Sequence, residues 1–222
     1  MADQLLPAVE VIPNTSVRCA VVWLHGLGAD GHDFEPIVPE LGVKDLGVRF
    51  VFPHAPVRPV TLNGGMPMRA WYDITGLDLN RREDEDGVLD STARVRALIE
   101  REMERGIPAE RIVLAGFSQG GAIALHLGLR FDARLAGVIA LSTWLPRAAH
   151  LEKEAAPANR PTPFLLCHGS ADPMVPVERG RAARLELERH GYDVVWHEYP
   201  MQHQVCPAEI RAIGGFLRQV LA

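Results

Sequence analysis

A serine bracketed by glycines, Gly116-Phe117-Ser118-Gln119-Gly120, falls between the apolar run Arg111 to Ala115 and a helical pattern over Gly120 to Arg130. A turn that joins a strand directly to a helix leaves no room for side chains two positions either side of its apex, so it requires small residues there. The same turn lifts the Ser118 hydroxyl above a sheet edge and leaves the Gln119 amide at a helix N-terminus, where it can meet developing negative charge. These five residues therefore demand strand, tight turn and helix in that order.

The rest of the chain repeats the alternation. Short apolar, β-rich runs at Ala20 to Leu24, Val48 to Phe52, Arg111 to Ala115, Gly137 to Leu141, Pro163 to Cys167 and Val194 to Glu198 read as strands, with Val9 to Ile12 as an edge strand. Helical periodicity fills Val88 to Arg105, Gly120 to Arg130, Val177 to His190 and Ala208 to Leu221. Strands alternating with helices predict a mainly parallel central sheet with helices on both faces, an α/β fold. At 222 residues, with no repeat and no linker of distinct composition, the expectation is a single domain over residues 1–222. Between Phe52 and Gly87 regular patterning fades, and the stretch reads as a long loop of the kind that forms lids and binding loops. The charged run Arg81 to Gly87 at its end reads as a solvated helix start whose acids suit the helix dipole.

Composition removes several classes of function. Lys and Arg number 23 against 28 Asp and Glu, a net charge of −5, and no basic block is long enough to track a phosphate backbone, so no nucleic-acid partner is expected. The longest apolar runs fall far short of the roughly 20 residues that span a bilayer, so no stable membrane insertion is expected. The first residues carry no cationic region ahead of an apolar stretch, and the chain reads as cytoplasmic. Cys19, Cys167 and Cys206 lack the paired spacing of a zinc site or a disulfide framework and read as free thiols, with no metal implied.

A serine hydroxyl is a poor nucleophile until a base takes its proton, so Ser118 requires an imidazole and a carboxylate to orient it. On a sheet of this kind the two follow in the order acid, then histidine. Asp172 stands just past the strand Pro163 to Cys167, and His203 just past Val194 to Glu198, both at the strand ends where open α/β sheets place their sites. Asp172 with Pro173 could also serve as a turn and N-cap for the Val177 helix. His203 is preferred because His197 lies within a strand, His190 and His126 lie on helices, His150 lies in a surface connection, and His168 precedes Asp172.

Upstream, Gly26, Gly28 and Gly31 match a dinucleotide-binding spacing after the strand Ala20 to Leu24. That reading wants an acidic residue at the end of the next strand, and Pro53-His54 stands there instead. The same residues read better as a His-Gly loop in which the Leu27 amide is a second donor opposite Gln119, the pair forming an oxyanion hole. Within the long loop, Val60, Leu62, Met66, Pro67, Met68 and Trp71 form an apolar set suited either to an acyl chain or to clamping the loop on the core.

Taken together, His25-Gly26-Leu27-Gly28-Ala29-Asp30, Ala70-Trp71-Tyr72-Asp73, Gly116 to Gly121, His168-Gly169 with Asp172 and Val175-Pro176, and Met201 with His203 resemble one family across nearly the whole chain. It is the carboxylesterase and acyl-protein thioesterase (lysophospholipase) branch of the α/β-hydrolases. The resemblance implies a single-domain α/β-hydrolase fold and a cofactor-free serine hydrolase with Ser118, Asp172 and His203 as catalytic triad. It also implies that Trp71 and neighbours in the long loop help line an acyl channel, which the apolar set with Met66 and Met68 fits independently. The implied partner is a small-molecule or lipid ester, or an acylated protein. The expected reaction is carboxylic ester hydrolysis through an acyl-enzyme, with lysophospholipase or protein depalmitoylase activity as the alternative and a non-enzymatic acyl-binding protein as a distant one. An apolar rim around the loop would suit a weak homodimer, which no sequence feature forces.

Overall fold

The computed structural model describes residues 5–75 and 84–222. In chain order the strands are β1 (Ala8–Val11), β2 (Cys19–Leu24), β3 (Val48–Pro53), β4 (Val57–Val60), β5 (Met66–Arg69), β6 (Ile112–Phe117), β7 (Gly137–Leu141), β8 (Phe164–Gly169) and β9 (Val194–Tyr199). The helices are α1 (Glu85–Glu104), α2 (Gln119–Gly128), the single turn α3 (Leu151–Glu154), α4 (Val177–Arg189) and α5 (Pro207–Leu221). Seven strands form one sheet in the order β1-β3-β2-β6-β7-β8-β9. Every pair is parallel except β1 with β3, which is antiparallel at the edge.

The central strands are buried on both faces, so their apolar runs are nearly continuous and successive side chains divide between two cores. In β2, Ala20, Val22 and Leu24 join the cluster under α1, α2 and α4, while Cys19, Val21 and Trp23 join the cluster under α5 and the 3-10 helix Glu35–Leu41. Ile112 and Leu114 of β6 split from Val113 and Ala115 in the same way. A one-residue slip of either strand would exchange the two sets, which fixes the register.

The strand order also fixes where chemistry can sit. From β2 the chain turns one way to β3, and from its other neighbour β6 it turns the opposite way to β7, so the sheet reverses direction between β2 and β6. Ligands of open α/β sheets bind beyond the strand C-termini at such a point. Leu24 pairs with Gly116 there, Phe117 with Leu141, and Gly169 with Tyr199, so the residues that follow each of these strands share one edge.

The expected strands and helices are present with ends shifted by a few residues, and one region departs from expectation. The supposed loop after Phe52 contains the hairpin β4–β5, closed by a 3-10 turn at Thr61–Asn63 and by Gly64 and Gly65, both at positive φ. Pro59 and Pro67 face each other across it, so two ladder donors are missing and the period-2 pattern is broken. Asp84 caps α1, its carboxylate accepting from the amides of Gly87 and of Asp73. The neighbouring charges Arg81 to Glu83, like Met1 to Gln4, lie outside the described residues. Cys19 and Cys167 are buried and Cys206 is half-buried, all three free.

Two glycines separate the site's needs from ordinary helix preference. A Cβ on Gly120 would stand 2.5 Å from the carbonyl oxygens of both Leu24 and His25, whereas one on Gly215, exposed in α5, would meet nothing within 4 Å. Gly120→Ala is expected to cost about 1–3 kcal/mol of stability through forced backbone movement. Gly215→Ala should instead add about 0.4–1 kcal/mol by restricting the unfolded chain. Denaturant midpoints for the two variants check the contrast.

Candidate active site

Ser118 occupies the turn between β6 and α2 with φ 53° and ψ −119°, a left-handed conformation that a non-glycine residue adopts only under constraint. The constraint is visible on both sides. The Ser118 amide donates to the Leu141 carbonyl at 2.8 Å, and its own carbonyl accepts from the Thr143 hydroxyl at 2.6 Å. Gly116 and Gly120 press together so closely that a Cβ on Gly116 would lie 2.3 Å from the Gly120 carbonyl oxygen. The small residues required by the turn are thus explained by backbone-to-backbone contact.

The structure brings Ser118 together with His203 and Asp172. Ser118 Oγ lies 2.9 Å from His203 Nε2, and His203 Nδ1 lies 2.6 Å from Asp172 Oδ2. A carboxylate oxygen here accepts, so Nδ1 carries the proton and Nε2 is left to accept from the serine. Asp172 is fully used: its Oδ1 accepts from the amides of Met174 at 2.8 Å and Val175 at 2.9 Å. It therefore forms a turn of its own and does not cap α4, whose N-cap is Pro176. The Phe117 ring packs against the His203 imidazole with centroids 4.7 Å apart, holding it over the turn.

The His25 to Asp30 loop lies against this group. A Cβ on Gly26 would reach to 3.5 Å from Ser118 Cβ, and Gly28, at φ +78°, donates its amide to the Arg69 carbonyl at 2.9 Å. Gly31 packs against the Phe52 carbonyl, where a Cβ would come within 2.3 Å, and its amide donates to His54 Nδ1. That close contact accounts for the third glycine of the loop. The Gln119 amide, first in α2, is one of the first-turn N–H groups that no helical carbonyl can reach. Leu27 is half-buried beside the site.

Of the two readings of the apolar loop set, acyl-chain lining or clamp, the contacts of Trp71 fit the clamp. Trp71 is fully buried, its indole N–H donating to the His25 carbonyl at 2.9 Å and its ring 5.3 Å from the His25 ring. The residue acts as a clamp. Its amide donates to Gln119 Oε1 at 2.8 Å, while Gln119 Nε2 donates to the Tyr72 carbonyl at 2.7 Å. The Gln119 side chain thus ties the turn to the segment after β5, a role that sequence reading missed along with that of Thr143. A polar side chain at a buried helix start, with no water to satisfy it, is the signal that would have found Gln119. Of the two methionines, Met68 is half-buried with its sulfur accepting from Asn63 Nδ2, and Met66 at the hairpin tip is 63% exposed.

Among the described residues no group of three His, Cys, Asp or Glu is placed to hold a metal ion, and no helix is long and apolar enough to cross a membrane.

Sheet order, strained serine and the histidine and aspartate at the neighbouring strand ends define an α/β-hydrolase. Residues 7–221 match the Phospholipase/Carboxylesterase family. An acyl-protein thioesterase 1 from Mycosarcoma maydis is 40% identical over 98% of both chains. One from Neurospora crassa is 42% identical over 90% of this chain and 86% of that protein. The crystal structure of Zea mays acyl-protein thioesterase 2 superimposes with a TM-score of 0.87 at 30% identity, covering 97% of this chain and 99% of that one. The chain belongs to the Phospholipase/Carboxylesterase family and is a serine hydrolase.

Two buried groups make stability depend on pH in opposite senses. His25 is fixed as the Nδ1–H tautomer, donating to the Gly26 carbonyl at 2.7 Å and accepting the Ala55 amide on Nε2 at 3.0 Å. Burial holds its pKa down to about 4. A lowered histidine pKa contributes stability that is present above the unfolded value of about 6.5 and lost as pH falls toward 4, here about 3 kcal/mol in all. Glu209, fully buried at the start of α5, is pushed up to about 8 by the same cause. Its contribution is present below about pH 4.5 and lost as pH rises through 8. Thermal midpoints recorded against pH should flatten on the acid side in His25→Gln and on the alkaline side in Glu209→Gln.

Proposed function

We propose that this chain is an acyl-protein thioesterase that hydrolyses long-chain acyl thioesters and related lipid esters through a Ser118 acyl-enzyme. The observation that carries the reading is the unbroken path from Ser118 Oγ through His203 to Asp172, at 2.9 Å and 2.6 Å.

Ser118 Oγ attacks the acyl carbonyl while His203 Nε2 takes its proton. The charge that develops on the carbonyl oxygen is met by the amides of Leu27 and Gln119. The tetrahedral species collapses, the bond to sulfur or oxygen breaks, and the leaving group departs with the proton from His203. Water, deprotonated by the same nitrogen, then cleaves the acyl-serine and releases the acid and the free hydroxyl. Asp172 holds the imidazole in the required tautomer and stabilises its charged form. No cofactor enters these steps.

The choice of thioester and long acyl chain rests on two supports. The relatives at 40–42% identity carry the name acyl-protein thioesterase 1, and the hairpin beside the site presents Val57, Pro59, Met66 and Pro67 outward as a largely apolar surface. A simple carboxylesterase acting on short esters would use the same residues and differ only in the depth of the acyl site.

Hydrolysis of p-nitrophenyl esters from acetyl to palmitoyl, together with a palmitoyl-thioester peptide, separates the readings. Peak activity on long chains with thioester turnover is expected, and Ser118→Ala should lower kcat by at least about a thousandfold. A peak at acetyl with no thioester turnover would move the assignment to the carboxylesterase, and undiminished turnover in Ser118→Ala would remove the triad.

A further inference from the structure

A buried titratable side chain stands directly beside the Ser118–His203–Asp172 path: His168. It sits on β8, is 1% exposed, and lies four residues before Asp172. Its Nε2 is 2.8 Å from the Val175 carbonyl oxygen. A carbonyl can only accept, so Nε2 carries the proton and points it at Val175. The same nitrogen is 3.8 Å from Asp172 Oδ2, the oxygen that meets His203.

Val175 is therefore gripped from both of its backbone groups. Its N–H is held by Asp172 Oδ1 and its C=O by His168 Nε2. The start of the turn is held by the Ala171 amide on the Met201 carbonyl at 3.1 Å and the Asp172 amide on the Gly169 carbonyl at 3.3 Å, whereas at its far end the first bond reaches only Asp172 itself. The second anchors that end to β8, a strand paired on both sides, with Cys167 against Leu141 on β7 and His168 against Glu198 on β9. The Val175 end of the turn, whose amide meets the Asp172 carboxylate, is thereby referred to the sheet that also carries Ser118.

The helix opposite is cut to fit the imidazole. A Cβ on Gly180 of α4 would lie 2.3 Å from His168 Nδ1 and 2.8 Å from Trp196 Cη2, so only glycine leaves space for the ring in this orientation. Glycine within a helix is intrinsically unfavourable, and here it admits a histidine where packing alone would be met by an aliphatic side chain. Trp196 lies beside the ring, with centroids 6.2 Å apart. Burial holds the His168 pKa below its ordinary value, which keeps the ring neutral. The titratable groups around it are Asp172, His203 and Glu198, the last paired with Arg181.

We propose that His168 is a positioning residue: by donating from Nε2 to the Val175 carbonyl it locks the turn that presents Asp172 to His203. The inference rests on the triad reading given above and deepens it.

The test compares His168→Leu with His168→Gln, whose amide nitrogen stands near the place of Nε2. Steady-state rates on a p-nitrophenyl ester are measured across pH, and proton NMR follows the His203 Nδ1 hydrogen in the downfield region. In His168→Leu, kcat is expected to fall about 10- to 100-fold with KM little changed, since misplacement of a positioned group slows chemistry more than binding. The acid limb of its pH–rate profile should move to lower pH as the imidazolium loses its carboxylate, and His168→Gln should recover most of the rate.

Rates in His168→Leu within about twofold of wild type would overturn the proposal. Equal loss in both variants with an unmoved acid limb would overturn it as well, leaving a packing role. If His168→Leu does not fold, nitrogen-15 NMR of the wild-type protein decides. A neutral His168 protonated on Nε2 supports the proposal, and one protonated on Nδ1 overturns it. Should Ser118→Ala keep wild-type turnover, it is the triad reading that fails. The His203 Nδ1 signal, which needs no turnover, then still reports whether the His168 variants release Asp172.

Discussion

Everything at the site depends on how closely the start of α2 approaches the end of β2. Gly120 lies so near the Leu24 and His25 carbonyls that the helix has no freedom to move along the sheet edge. That contact sets the angle at which β6 turns into α2, and with it the left-handed backbone of Ser118. It also makes two chain segments, one near residue 25 and one near residue 118, into a single rigid surface. Strain at one residue persists only where its surroundings over-determine it, and here they do so through backbone atoms that no side-chain exchange removes.

Histidine illustrates how one residue type is divided among tasks by its surroundings. His25 is buried with both ring nitrogens engaged by backbone groups and is held neutral as a structural clasp. His126 is likewise driven neutral by burial between α1 and α2, its pKa lowered to about 3, with its Nδ1 on the Thr92 hydroxyl. His203 differs in being partly open to solvent and in having a carboxylate on one nitrogen and a hydroxyl on the other.

The parallel sheet and its helices were legible in the sequence, as was the candidate group of Ser118, Asp172 and His203 that the fold brings within hydrogen-bond distance. The central strands are buried on both faces and so read as plain apolar runs, and the three residues each stand a short way past the end of a strand. What escaped is long-range or locally irregular. The hairpin at residues 57–69 was hidden because Pro59, Pro67 and two glycines erase the alternation that marks a strand, leaving pairing that only the folded chain displays. The 3-10 helix Glu35–Leu41 was hidden in the same way by Pro36 and Pro39. The Gln119 and Thr143 side chains could not be assigned because their partners lie 48 and 25 residues away. An aromatic in a long loop suits a ligand as readily as a clamp, so the contacts of Trp71 with His25 and Gln119 are visible only in the folded chain.

The hairpin itself joins two regimes. At its base, Arg69 gives its carbonyl to Gly28 and its guanidinium to the Ala55 carbonyl, and the following Trp71 is locked against His25. At its tip, Thr61 to Pro67 are largely exposed, and a side chain added at Gly64 or Gly65 would meet nothing within 4 Å. A change at the base is transmitted at once to the loop that carries the Leu27 amide, whereas a change at the tip alters only what the protein meets at its rim. Inheritance can therefore rewrite the tip freely while the loop at its base stays as it is.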